Sequence, residues 1–173
     1  MLAGAATGLV LVAFGNHVQQ TTTSTPASDV VPETIDIPSI DVAAPLMKLG
    51  LEKNGDVELP PYEKPKMAGW YEGSAVPGEK GASVIIGHVD TKTAPAVFYK
   101  LRQLRKGETV KVERSDGKTV TYKVDSIEQV HKDSFPTRRV YLEEGLRLVT
   151  CGGKFDYGRG EYVDNIIVYA SQA

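Results

Sequence analysis

The chain has 173 residues, 41% hydrophobic and 24% charged, with 20 basic against 22 acidic side chains and a net charge of -2. That length suits one domain with a sizeable core, and the composition is that of a globular protein. Lys and Arg are scattered among Asp and Glu, without the basic surplus or basic stripe of a nucleic-acid binder, so that class is excluded.

Residues 1–15, MLAGAATGLVLVAFG, carry no charge and read as a membrane-directed segment. They fall short of the roughly 20 residues that span a bilayer and have no basic region in front of them. They are therefore either part of a longer signal anchor or a signal-peptide core; a buried N-terminal helix is the alternative. Residues 16–32, rich in Thr, Ser and Pro, read as an extended linker with almost nothing to bury. Residues 33–173 are the expected folded domain, held outside the cell.

Past the linker the apolar pattern runs mostly at period two. Thr34 to Ile40 alternates apolar with polar, and Ala44 to Leu51 is a second extended segment before the turn signal Asn54-Gly55. Met67 to Tyr71 reads as a turn of helix. Ala82 to Gly87 is a continuous apolar run, the pattern of a strand buried on both faces. Ala94 to Leu104, with Val97, Leu101 and Leu104 at helical spacing, reads as a short helix. Thr109 to Val124 is the clearest hairpin, with Val110 and Val112 answered by Val120, Tyr122 and Val124 across a two-residue I′ turn at Asp116-Gly117. Leu146 to Thr150 and Ile166 to Ala170 complete the buried strands. The fold class is mostly β with short helices, and a closed barrel is expected because short strands with open edges invite aggregation.

An exported domain with one cysteine cannot make an internal disulfide, so Cys151 is inert, paired with another chain, or kept for chemistry. Position favours chemistry. The run Ser83 to Gly87 leads directly into His88, and Leu146 to Thr150 leads directly into Cys151, so both reactive side chains are expected at strand ends on a barrel rim. Cysteine attacks as its thiolate and needs a base or a cation beside it. Of the three histidines, His17 lies in the linker and His131 in the polar exit of a strand, Gln129 to Asp133; His88 is the partner. An attacked amide also needs donors for its oxyanion, and arginine, always charged, supplies them well. Arg159, in the loop after Cys151, and Arg147, on the same strand face as Cys151, are both candidates. No paired-ligand spacing supports a metal site, and no acidic cluster supports calcium.

The motifs IIGHVDT, LRLVTCGGKFD and YVDNIIVYA, in that order and behind a linker, resemble the sortases, and most of all the class F sortases of actinobacteria. The resemblance spans about Val31 to Ala173. It implies an eight-stranded sortase-type barrel, monomeric and without cofactor. The implied activity is that of a membrane-anchored cysteine transpeptidase, which cleaves an LPxTG-type signal at the C-terminus of secreted proteins and passes the thioacyl-linked protein to an amine of a peptidoglycan precursor. It further implies Cys151 as nucleophile, His88 as the acid that protonates the leaving amine, and an arginine after the cysteine that binds signal and oxyanion, here Arg159. Thr150, through backbone or hydroxyl, and Asp90 are implied as oxyanion or substrate-binding residues. The chain departs from the family pattern at Val163, where relatives often carry Arg in a Tyr-Arg-Asp-Asn run. The rivals are a non-catalytic secreted β-domain with a structural thiol and other cell-envelope cysteine peptidases. Among the latter, L,D-transpeptidases carry a histidine where Val149 stands, and NlpC-type peptidases place cysteine before histidine.

Overall fold

The structure, a computed structural model, describes residues 29–173. The membrane-directed segment expected at 1–15 and most of the linker expected at 16–32 lie outside the described residues. The rest forms eight strands: β1 (Pro32–Ile37), β2 (Val42–Leu49), β3 (Ala68–Tyr71), β4 (Ala82–Ile86), β5 (Thr109–Arg114), β6 (Thr119–His131), β7 (Gly145–Asp156) and β8 (Glu161–Gln172), with one short helix, α1 (Thr137–Tyr141), before β7. They close into a barrel in the order β1-β2-β3-β4-β7-β8-β6-β5. The pairs β2–β3 and β4–β7 are parallel and the others antiparallel. The expected closed eight-stranded barrel is therefore the observed one. Among the described residues no helix is long and apolar enough to cross a membrane.

The three continuous apolar runs become the wall strands β4, β7 and β8, and each is buried on both faces for a physical reason. Ile85, Leu146, Leu148 and Val168 point into the barrel with Phe98 and Leu101. Their neighbours Val84, Ile86, Val149, Ile167 and Tyr169 point outward and are covered by Val140 of α1. Each such aliphatic side chain contributes about 2 kcal/mol by leaving water. Alternation of exactly this two-sided kind cannot be told from one-sided burial by pattern, since every position reads as apolar.

Three local expectations are corrected. Met67 to Tyr71 is not helical: Ala68 to Tyr71 is β3, parallel to Leu46–Leu49 of β2. Ala94 to Leu104 is not an α-helix but a series of turns ending in a 3-10 turn, Leu101–Gln103. The N–H groups of Ala96, Val97 and Phe98 donate to the carbonyls of Val89, Pro65 and His88 instead of to a helical ladder; the helical spacing of Val97, Leu101 and Leu104 comes from plugging one barrel mouth. The hairpin β5–β6 has the expected register, with Val112 opposite Val120 and Val110 opposite Tyr122, but its turn is not I′. Such a turn needs positive φ at both central residues, and only Gly117 has it, at 80°. Gly117 N–H closes the turn on the Arg114 carbonyl at 2.9 Å, while the Asp116 carboxylate accepts from Arg114.

Candidate active site

The wall strands set His88 and Cys151 at matching places in the β4–β7 register. β4 and β7 run side by side up to Ile86 opposite Val149, and the Gly87 N–H still donates to the Val149 carbonyl at 3.1 Å. There β4 turns away. His88 and Cys151 each stand two residues past that last pair, and parallel strands are about 4.8 Å apart. Alternation along β7 puts Cys151 on the outer face, in line with Val149, while His88 follows the end of β4. Cys151 is not at a strand end as expected. β7 continues to Asp156, paired with β8 alone, with Cys151 opposite Asn165 and an irregularity between Gly152 and Phe155. The loss of β4 as a neighbour, rather than the end of β7, opens the thiol to solvent.

The glycines beside the two residues serve packing. A Cβ on Gly87 would meet Phe98 and Val97 at 2.6 and 2.7 Å, and one on Gly152 would meet Ile166 at 2.7 Å. Backbone therefore lies directly on the barrel contents at both positions, and this holds the two side chains in register.

His88 is only 7% exposed. Its Nε2 lies 2.6 Å from the Pro60 carbonyl; a carbonyl only accepts, so Nε2 carries the proton and Nδ1 is the free nitrogen. The Tyr62 ring stacks on the imidazole at 4.1 Å and 18°. Both partners belong to the long β2–β3 connection, a strap over His88 that sequence reasoning missed. The signal available was Leu59-Pro60-Pro61-Tyr62, an aromatic on a stiff diproline step.

Cys151 is half-buried and makes no disulfide. Burial pushes its thiol above the usual range, Lys132 acts against this, and Glu161 and Asp90 add to it. Lys132 Nζ lies 2.9 Å from Glu161 Oε2. Asp90, two residues after His88, accepts from the Tyr162 hydroxyl at 2.6 Å, a bond that first among several causes pushes the Tyr162 phenol up to about 12. This bond ties the His88 loop to β8 across the top of β7. Asp90 is thereby a loop anchor, and a carboxylate accepts hydrogen bonds rather than donating to an oxyanion. Thr150 is buried, with its side chain turned to the barrel interior and its hydroxyl without a hydrogen-bond partner among the described residues. Its carbonyl accepts from Asn165 Nδ2 at 3.2 Å.

The two candidate arginines part company. Arg147 is buried, and its guanidinium donates to the carbonyls of Arg139, Leu146, Glu143 and Glu144 at 3.0–3.1 Å and covers the Tyr169 ring. It caps the α1–β7 turn, about 13 Å along the strand from Cys151 at 3.3 Å per residue, and is not brought to the thiol. Arg159 lies at the tip of the β7–β8 hairpin, 69% exposed, with Nε 3.9 Å from Asp156. His131 is exposed beside Asp133, as its place at a strand exit suggests. No group of three or more His, Cys, Asp or Glu converges as a metal site among the described residues.

A family model for the sortase domain matches residues 35–173. Among solved structures, the chain is similar to sortase C-1 of Actinomyces oris, with TM-score 0.61 and 26% identity over 81% of this chain and 72% of that one. It is also similar to sortase C1 of Streptococcus agalactiae, with TM-score 0.61 and 22% identity over 82% of this chain. A lid mutant of sortase A from Corynebacterium diphtheriae matches with TM-score 0.60 and 23% identity over 83% of this chain and 70% of that one. The chain spans 66% of the length of the Streptococcus agalactiae structure, and no curated protein matches its sequence. Since the family match runs from β1 through β8 and takes in both His88 and Cys151, the chain belongs to the sortase family.

Proposed function

We propose that this protein is a cysteine transpeptidase of the class F kind, acting at the cell surface on secreted proteins that carry an LPxTG-type signal. The observation that supports this reading is the matching place of His88 and Cys151, each two residues past the last β4–β7 pair. A half-buried thiol also fits a nucleophile better than a core cysteine would.

The Cys151 thiol passes its proton to Nδ1 of His88, the thiolate attacks the Thr carbonyl, and the electron pair of the C=O bond moves to oxygen. The C–N bond to Gly then breaks, the amine leaves with a proton from His88, and a thioester remains on Cys151. An amine of a peptidoglycan precursor attacks the thioester and gives a proton back to His88, and the new amide forms as the thiolate departs. Arg159 binds the peptide by turning from Asp156 toward the groove. A membrane attachment through residues 1–15 and an extracellular barrel accompany this reading.

Full-length protein mixed with a fluorogenic LPxTG peptide and an amine acceptor is expected to cleave it between Thr and Gly. Cys151→Ala abolishes turnover, and His88→Ala lowers it by about 10²–10⁴-fold. Arg159→Ala raises KM for the peptide. Turnover that survives Cys151→Ala would overturn the mechanism.

A further inference from the structure

An imidazole that gives and takes protons at one nitrogen needs its other nitrogen held, and in catalytic triads a third group does the holding. At His88 that group is a backbone carbonyl. Pro60 accepts from Nε2 at 2.6 Å, and the Tyr62 ring lies on the imidazole at 4.1 Å and 18°, so one contact fixes the rotation of the ring and the other its plane. Nδ1 makes no hydrogen bond with the described residues. Among those residues the buried side-chain nitrogens and oxygens without a partner are the hydroxyls of Ser83 and Thr150, so Nδ1 is left open rather than sealed.

The strap's own sequence imposes this tautomer. Neither Pro60 nor Pro61 has an N–H, so two successive residues present carbonyls only, and a strap that can only accept selects the imidazole with its proton on Nε2. An N–H at the same place could donate to Nε2 and select the opposite tautomer. A following proline also keeps Leu59 and Pro60 extended, which stiffens the direction of the Pro60 carbonyl. The strap is anchored on both sides of this step. Before it, Leu51 bridges Val57 and the Glu58 N–H donates to the Gly50 carbonyl at 3.0 Å. After it, the Pro65 carbonyl accepts from the Val97 N–H at 2.8 Å, and the next N–H, that of Phe98, donates to the His88 carbonyl at 3.0 Å. Two successive N–H groups of one turn thus hold the strap and the His88 backbone at a fixed offset. We propose that Pro60, with Tyr62 stacked on the same ring, is the positioning residue of His88: its carbonyl locks the proton on Nε2 and makes Nδ1 the nitrogen that exchanges protons in the reaction. When Nδ1 has taken up a proton, Nε2–H still donates to the same carbonyl, and the ring keeps its place through the transfer. The tautomer half stands without the transpeptidase reading; the proton exchange rests on it.

The test is heteronuclear magnetic resonance of the full-length protein labelled with heavy nitrogen at histidine, with the His88 ring assigned by its absence in His88→Gln. In the neutral ring of the wild type the proton is expected on Nε2 alone. Pro60→Gly combined with Pro61→Gly keeps the carbonyl but adds two N–H groups and frees the backbone. It is expected to mix the two tautomers and to lower kcat for the peptide about ten- to a hundredfold, with KM changed less than about twofold. Tyr62→Ala, which frees the ring plane alone, moves both readouts the same way and by less, and Tyr62→Phe, which keeps the stacked ring, restores them. Thermal melts establish that each variant is folded; if the double glycine variant is not, the wild-type spectrum and the two Tyr62 variants still decide. A wild-type proton on Nδ1, or a single tautomer with unchanged kcat in every folded variant of the strap, overturns the proposal. So does a rise in kcat on loosening the strap, which would make it a cover that substrate displaces. A wild type inert toward the peptide, whose tautomer still mixes when the strap is loosened, removes the transpeptidase reading and keeps the tautomer half. An active wild type whose tautomer does not respond removes this proposal alone.

Discussion

Arg147→Met separates a capping arginine from a catalytic one. Methionine keeps the stem against Tyr169 and removes only the guanidinium, so four carbonyls lose their donor: Arg139, Glu143, Glu144 and Leu146. Arg139, Glu143 and Glu144 are exposed residues, so water replaces the lost donor there at about 0.5 kcal/mol each. The Leu146 carbonyl is buried and pays its full desolvation cost, about 1–2 kcal/mol. Burial holds the Arg147 guanidinium below its usual pKa, and the desolvation that this reflects is released on substitution. The net loss is then about 2–3 kcal/mol, which for a domain of this size lowers Tm by about 4–12 °C. Thermal melts by circular dichroism measure the first expectation, and peptide turnover well below the new Tm measures the second, kcat/KM within about twofold of wild type. A variant that keeps its Tm but loses turnover would refute the capping argument and return Arg147 to the active site.

Three further expectations follow from the groove. Tyr62→Ala removes the ring stacked on His88 and is expected to speed diethyl pyrocarbonate modification of His88 several-fold; an unchanged rate would mean that the strap does not shield the imidazole. Gly152→Ala drives a methyl group into Ile166 at 2.7 Å and is expected to cost about 1–3 kcal/mol in urea unfolding, with turnover falling as the β7–β8 register shifts beneath Cys151. Tyr162 has its phenol raised from about 10 to about 12 by the bond to Asp90. Because the folded pKa is above the unfolded one, the stabilisation is fully present below pH 10 and is lost as pH rises toward 12. Tyr162→Phe should therefore flatten, though not abolish, the loss of urea midpoint over that window, since Tyr169 is also raised to about 12, chiefly by burial.

What could be read in the sequence is what repeats locally. Period-two alternation located β5 and β6, and apolar runs located β4, β7 and β8, because side-chain burial on a strand is written residue by residue. The misreadings share one cause, backbone groups that bond far from their neighbours. The apolar spacing of Val97, Leu101 and Leu104 is helical, yet their segment gives its N–H groups to Pro65, His88 and Val89. Met67 to Tyr71 has no alternation of its own and becomes a strand because β2 offers it a parallel edge. α1 is five residues long, too short to write a helical period.

The same division runs through the site. The places of Cys151 and His88 were legible because each follows a buried run, and the parallel pairing of those runs sets the two sequence motifs side by side. The groups that surround the two residues reach them from elsewhere: Pro60 and Tyr62 from a connection 28 residues before His88 at the carbonyl, and Tyr162 across β7 onto Asp90. Arg147 and Arg159 are candidates because both lie near Cys151 in sequence. In a barrel, neighbours are made by strand order, and β6 lies beside β8. Four residues along the strand carry Arg147, on the same strand and the same face as Cys151, about 13 Å from the thiol, where its guanidinium meets the carbonyls of Arg139, Leu146, Glu143 and Glu144 instead.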